Sequence, residues 1–324
     1  MPSQRHTKVF AGSVAARRSE FLFSLFFGNQ IQYHNRKNER ETGSSMLSRR
    51  DLLRISCIAA LSASPAVAFG EVLHKFNAEP EVKDSLFFSR DYFRKIKDFD
   101  RSFPDDFMAS AEELSHIRAC HAKIRSVMNY VGYANFNILN YDEMLKTMGR
   151  ISKLQGLNAK EQKYVEELFS RDAAVYGFFG EKVMTSLTDN IDRSEIVKIP
   201  RTGHYIYKEA VSTHNKIMKD MRSLTLTSGI RGIVKQLYLF LNKAVQTRGN
   251  LSMASRSLAP VGYSFHGVGD FDVGIRNWGA DNFTDRFATT KEYASLIHGG
   301  YMRIRYDEKN PYGVRFEPWH VKVV

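Results

Sequence analysis

The chain has 324 residues, of which 43% are hydrophobic, 12% aromatic and 25% charged, with a formal net charge of +12. Such a length and apolar fraction support a sizeable core in one or two structural units, and they exclude a disordered chain. Half of the positive excess lies in residues 1–68, and no basic helix is interleaved with aromatics, so nucleic-acid binding is not indicated; a modest positive charge suits an anionic wall or membrane surface as well as an ordinary soluble protein.

Near the N-terminus, Ser48-Arg49-Arg50-Asp51-Leu52-Leu53 precedes an apolar stretch, Ile55 to Leu61, and small residues ending in Ala66-Val67-Ala68. A charged region, a hydrophobic region and an A-x-A-like cleavage site in that order predict a twin-arginine export signal over residues 46–68 and a periplasmic mature protein. The apolar part is too short for a comfortable membrane span, so no stable membrane anchor is expected. Met46 stands immediately ahead of the signal, where a precursor is expected to start. Residues 1–45 are therefore read as an extension or a mis-assigned start and set aside. Cys57 falls inside the signal and leaves Cys120 alone, so no intramolecular disulfide is expected.

Residues 69–198 read as a mainly helical accessory region, with helical character from about 85 to 195. Ala109 through Met128 carries helix formers with apolar residues at three- and four-residue steps. Asn158, with Glu161 three positions on, marks a capped helix start, and Tyr164, Leu168, Ala173 and Tyr176 are candidates for its inner face. His116 and Cys120 share a helix face, but a zinc site needs three or four converging ligands and no further partner is in sight. The run Tyr176-Gly177-Phe178-Phe179 is read as packing.

From about Pro200 the pattern changes. Tyr207 to Met221 predicts a helix, Leu224 to Ser228 a short strand by alternation, and Val234 to Val245 another helix. Glycines are then frequent from Gly262 to Gly313, as in loops and tight turns around a site. Met302–Tyr306, Gly313–Phe316 and His320–Val324 predict strands of a small antiparallel sheet. The expected fold class is α+β: the helical accessory region followed, at 199–324, by the small sheet domain.

The chemistry-bearing residues cluster in that last region. His266 and Asp272 are close in sequence, His320 is distant, and Glu317 stands three residues before it. Catalytic zinc sites take three protein ligands and keep a fourth position open for water, beside which a carboxylate can act as base. His266, Asp272 and His320 are therefore candidate Zn2+ ligands, with Glu317 as general base. Asp270 is a rival for the acidic position: on a strand, alternate residues share a face, which would point His266, Asp270 and Asp272 the same way. Two patterns are dismissed. Gly267-Val268-Gly269 lacks the third glycine and following helix of a dinucleotide fingerprint. Asp270-Phe271-Asp272 lacks the later acidic positions of a calcium loop.

This arrangement resembles the VanY-like D-alanyl-D-alanine carboxypeptidases, within the wider group of lysostaphin-type and Hedgehog-like zinc domains. Ser264, His266 and Gly269 follow the family's S-x-H-x-x-G block, and Glu317-Pro318-Trp319-His320 matches its E-P-W-H. Ser228-Gly229-Ile230-Arg231 through Gln236 follows S-G-Y-R-S-x-x-x-Q, with Ile230 and Gly232 replacing the usual Tyr and Ser. The family's Asp falls seven residues after the His, where Val273 stands here, implying a one-residue deletion; Asp272-Val273-Gly274 then continues like the family's D-I-G. The resemblance implies a zinc peptidase of peptidoglycan stem peptides. It implies that Arg231 steadies the scissile carbonyl's developing charge or holds the substrate, that Gln236 orients, and that Ser264 anchors a terminal carboxylate or positions His266. It leaves D,D-carboxypeptidase, L,D-carboxypeptidase and endopeptidase activity open, and also a non-catalytic zinc-containing wall-binding domain. Glu317 and Arg231 argue against the last.

Overall fold

The computed structural model describes residues 90–301 and 303–323, so the export-signal reading at 46–68 lies outside the described residues. These residues combine helices with two small antiparallel sheets, an α+β fold in which helices come first. Five helices, α1 (Arg90–Lys97), α2 (Ala111–Val131), α3 (Tyr133–Asn137), α4 (Tyr141–Arg150) and α5 (Ala159–Ser170), are followed by a 3-10 turn at Ala173–Tyr176. Residues 177–195 contain no helix, which shortens the predicted helical stretch.

Local chemistry sets the helix starts. Ser110 accepts from Glu113 N while the Glu113 side chain returns to Ser110 N, a capping box that opens α2. Asn158 and Glu161 form the same device at α5. In α2 the buried positions Ile117, Cys120, Ile124 and Val127 recur at three- and four-residue steps, giving one apolar stripe. Tyr164, Leu168, Ala173 and Tyr176 are all buried.

Next comes a hairpin that the sequence reading missed: β1 (Ile196–Ile199) pairs antiparallel with β2 (His204–Tyr207). The predicted helix from Tyr207 is corrected accordingly. A 3-10 turn occupies Lys208–Ala210, and helix α6 runs Val211–Asp220. Strand β3 (Leu224–Ser228), helix α7 (Ile233–Gln246), the short α8 (Leu251–Ser255), strand β4 (Phe271–Ile275), helix α9 (Lys291–His298) and strand β5 (His320–Val321) complete the order. The central sheet runs β3-β4-β5, all antiparallel.

Two expected strands do not form among the described residues. Residues 303–306 contribute a single bridge, Arg303 to Lys322, and Gly313–Phe316 has no ladder. Their backbone groups bond elsewhere: Arg315 N donates to Arg256 O, and Tyr306 O accepts from Glu317 N.

Helix α7 is the centre of the larger core. Ten of its residues are buried, and Leu237, Phe240 and Leu241 pack in one cluster with Ile117, Ile124, Phe136 and Val165 from the earlier helices. A second cluster joins Leu224 and Leu226 of β3, Phe271 and Val273 of β4, Val321 of β5 and Trp319. The helical region is thus continuous with the core that carries the Arg231 loop. Arg256 seals the join: its guanidinium donates to both oxygens of Asp106 at 2.7 and 3.0 Å, and Asp106 also accepts from Asn250 and from Phe103 N.

Candidate metal centre and its cleft

Sheet register assembles the site. Asp272 of β4 lies opposite His320 of β5 on one side and Ser228 of β3 on the other. A register shift between Leu226 and Ser228 adds a residue to β3 at this point, which bends the strand into the Gly229–Gly232 loop. His266 arrives on a 3-10 turn, Phe265–Gly267, rather than on a strand. The expectation that His266, Asp270 and Asp272 share one strand face is therefore corrected, since only Asp272 lies within β4.

Three ligand-capable atoms converge. Asp272 Oδ1 is 3.2 Å from His266 Nε2 and 3.2 Å from His320 Nδ1. One such atom from each residue falls within 4.8 Å of the others, and all three residues are buried. The imidazoles meet edge-on, with centroids 4.9 Å apart. Each ring's remaining nitrogen is committed. His266 Nδ1 donates to Gly229 O at 2.8 Å, which leaves Nε2 with its lone pair. His320 Nε2 donates to Asp270 Oδ2 at 2.9 Å, which does the same for Nδ1. Gly229 is required where it stands, because a Cβ there would meet Tyr205 O at 2.0 Å.

The rival acids have different surroundings. Asp270 faces His320 Nε2, the Arg305 guanidinium at 2.6 Å and Val323 N at 2.8 Å. Asp272 gives Oδ2 to Arg231 at 2.7 Å, while its Oδ1 has no hydrogen-bond partner. His320 Nδ1 is likewise buried without one. Buried polar atoms are almost always partnered, so a carboxylate oxygen and an imidazole nitrogen facing one another across such a gap fit a cation. Two imidazole nitrogens and a carboxylate oxygen are a donor set that suits Zn2+.

Electrostatics divides the two histidines. Burial, and then Arg231, push His266 down to about 4. Burial also works against a charged His320, but the hydrogen bond to Asp270 and the adjacent Asp272 carboxylate outweigh it and raise the ring to about 9. Burial would raise both acids, yet His320 and Arg305 hold Asp270 down at about 2. His266 and Arg231 hold Asp272 well below the usual carboxylate range.

A small cleft, partly open to solvent, adjoins this centre; Arg231, Ser257, Ser264, His266, Glu317 and His320 line it, with Tyr306 and Val314. Glu317 lies 3.9 Å from His320 Nδ1 and 3.8 Å from Arg315 Nε. Burial raises its pKa against the pull of Arg315 and His320. Arg231 Nε donates to Ser228 Oγ at 3.0 Å, so both edges of its fork are held. Gln236 does not line the cleft. Its amide donates to Arg231 O at 2.8 Å and its carbonyl accepts from Gly262 N at 2.9 Å, bracing the Arg231 loop from behind. Sequence reading missed Arg305, Tyr306 and Ser257. Ser257 Oγ is buried without a partner and faces the same space, yet an isolated Ser between Arg256 and Leu258 carries no sequence signal. His116 lies against Tyr164 with the rings tilted by 37°, and Cys120 is buried in the helical core.

Residues 203–324 match the family described as VanY: D-alanyl-D-alanine carboxypeptidase. Among solved structures, the LdcB LD-carboxypeptidase is 22% identical, with 41% of this chain and 69% of that chain covered and a TM-score of 0.36. The vancomycin-resistance D,D-pentapeptidase VanY of a VanB-type cassette, in complex with Zn(II), is 20% identical, with 40% and 79% covered and a TM-score of 0.34. VanYB with D-alanine-D-alanine is 19% identical, with 44% and 87% covered and a TM-score of 0.34. No curated protein matches the chain. Residues 203–324 are thus the part of the chain that matches the VanY family.

Proposed function

We propose that this domain catalyses zinc-dependent hydrolysis of the terminal D-alanyl-D-alanine amide of peptidoglycan stem peptides. The reading rests on one observation above all: His266 Nε2, Asp272 Oδ1 and His320 Nδ1 face a common point beside a cleft that also holds Glu317. His266, Asp272 and His320 would hold the ion. A bound Zn2+ supplies Lewis acidity, polarising the scissile carbonyl and lowering the pKa of water.

The chain's own groups do the rest. Glu317, half-buried and raised in pKa, takes a proton from the attacking water and returns it to the departing amine. Arg231, fixed by Ser228 and Asp272, presents its positive charge to the developing oxyanion. Ser264 offers a hydroxyl to the terminal carboxylate within the same cleft. Gln236 keeps the Arg231 loop in place. Residues 46–68 are proposed to export the protein to the periplasm, where such peptides are met.

The test is to incubate the protein with tripeptide, tetrapeptide and pentapeptide stems and identify products by mass spectrometry. Loss of one D-alanine from the pentapeptide is expected. Release from the tetrapeptide alone would mark an L,D-carboxypeptidase, and cleavage of cross-linked dimers an endopeptidase. Glu317→Gln should keep its metal while turnover falls by about 10²–10⁴-fold. Wild-type turnover in that variant would reduce the centre to a structural one.

A further inference from the structure

The two oxygens of Glu317 have different neighbours. Oε2 lies 3.9 Å from His320 Nδ1, while Oε1 lies 3.8 Å from Arg315 Nε. A general base needs one oxygen aimed at the proton it removes, so the other oxygen is the one by which it can be held. Few groups in this cleft are available to hold it. The Arg231 fork is taken by Ser228 Oγ and Asp272 Oδ2. His320 Nδ1 is one of the three ligand-capable atoms. Arg315 Nε remains, buried and without a hydrogen-bond partner among the described residues. At 3.8 Å the pair is an ion contact rather than a hydrogen bond, a looseness that catalytic contacts commonly show before substrate arrives.

Arg315 is itself fixed. Its guanidinium carbon lies 4.7 Å from the centroid of the Phe99 ring and 4.8 Å from that of Trp319. Guanidinium groups stack on aromatic faces, and two such contacts on one group restrict its rotation. The main chain is tied as well: Arg315 N donates to Arg256 O at 2.9 Å, and Arg256 is anchored by both oxygens of Asp106. Phe99 directly follows α1, so the helical region reaches Glu317 through one intervening side chain. Glu317 is the acid that Arg315 meets among the described residues.

We propose that Arg315 is a positioning residue for the reaction: it holds Glu317 by Oε1 so that Oε2 stays turned toward the metal centre, and Phe99 of the helical region keeps Arg315 in place. The inference rests on the carboxypeptidase reading, in which Glu317 is the base. Arg315 neither gives nor takes a proton. A glutamate side chain has three rotatable bonds, and an unheld one spends time in rotamers that carry its carboxylate away from the water it must deprotonate. Losing the holder therefore lowers turnover and leaves substrate binding as it was.

A kinetic cycle of four full-length proteins tests this: wild type, Arg315→Met, Glu317→Gln and the double variant. Rates of D-alanine release from the pentapeptide stem give kcat and KM, and bound zinc is measured on the same samples. Arg315→Met should lower kcat by about 10–100-fold, with KM within about twofold of wild type and zinc at the wild-type stoichiometry. Arg315→Lys, which keeps the charge without the planar group, should recover part of that loss. In the Glu317→Gln background Arg315→Met should cost nothing further, because no base is left to hold. Phe99→Leu keeps both charged groups and should lower kcat by a smaller factor; it stands in for Arg315→Met if that variant does not fold. Unchanged kcat, a loss as large in the Glu317→Gln background as in the wild type, or a loss in KM or zinc content instead of kcat would overturn the proposal while hydrolysis by the wild type kept the carboxypeptidase reading. No hydrolysis by the wild type would remove both.

Discussion

Zinc affinity should depend steeply on pH, and the reason is the proton on His320. In the metal-free site that ring is raised to about 9 by Asp270 and Asp272. Below pH 9 the ion must displace a proton from Nδ1, so apparent affinity should rise close to tenfold per unit from about pH 6 and level off near pH 9. At pH 7, two units below the pKa, the competition costs about 2.7 kcal/mol, or roughly 100-fold in affinity. The sign is that of a group raised on folding: the proton stabilises the metal-free protein fully below about pH 6.5, and this contribution is lost as pH rises through about 9. Asp270→Asn keeps an acceptor for His320 Nε2 but removes the charge. It should lower affinity at high pH by about 10–100-fold, and it should shift the levelling-off to lower pH. Competition with a chromophoric chelator of known protonation, run from about pH 6 to pH 10, measures both. A flat wild-type profile, or an Asp270→Asn profile superimposable on it, would refute the assignment of His320 Nδ1 as a ligand held by Asp270.

Two further outcomes can be stated. Asp106→Ala leaves the buried Arg256 guanidinium without its bidentate partner, which should destabilise by about 3–5 kcal/mol. Scanning calorimetry should then record a fall in Tm of roughly 6–20 °C, whereas Asp106→Leu combined with Arg256→Met should recover most of it. For the proposed export signal, replacing Arg49 and Arg50 with Lys should trap precursor in the cytoplasm in fractionation experiments, while removing residues 1–45 should leave export intact.

Elements governed by local chemistry were legible in the sequence. Strand β3 falls on Leu224–Ser228 as alternation indicated, α7 extends the expected 234–245 by a residue at each end, and the Asn158–Glu161 cap forms as read. Elements governed by partners were not. Met302–Tyr306 and Gly313–Phe316 have strand-like alternation in sequence, but among the described residues the first makes one bridge, Arg303 to Lys322, and the second makes none, while two-residue β5 pairs with β4. The hairpin β1–β2 was hidden because His204-Tyr205-Ile206-Tyr207 is short and runs into helix-forming residues. Within the site, His266, Asp272, Glu317 and His320 could be named because their types and spacing carry chemistry, and Arg231 through the resemblance to the family's S-G-Y-R block. The separate surroundings of Asp270 could not be read, since Arg305, His320 and Val323 reach it only through the fold.

The two imidazoles are steadied by different kinds of support, and this affects how the site can vary. His320 leans on a side chain, Asp270, which a single base change can weaken or delete, so its basicity can drift in small steps. His266 leans on the main-chain oxygen of Gly229, which persists whatever side chain is encoded. Substitution at Gly229 does not subtract that oxygen; it forces the loop apart, because a methyl group there would collide with Tyr205 O. A saturation screen would therefore show graded tolerance behind one histidine and an all-or-none position behind the other. Variation in metal affinity among descendants of this sequence should collect on the Asp270 side.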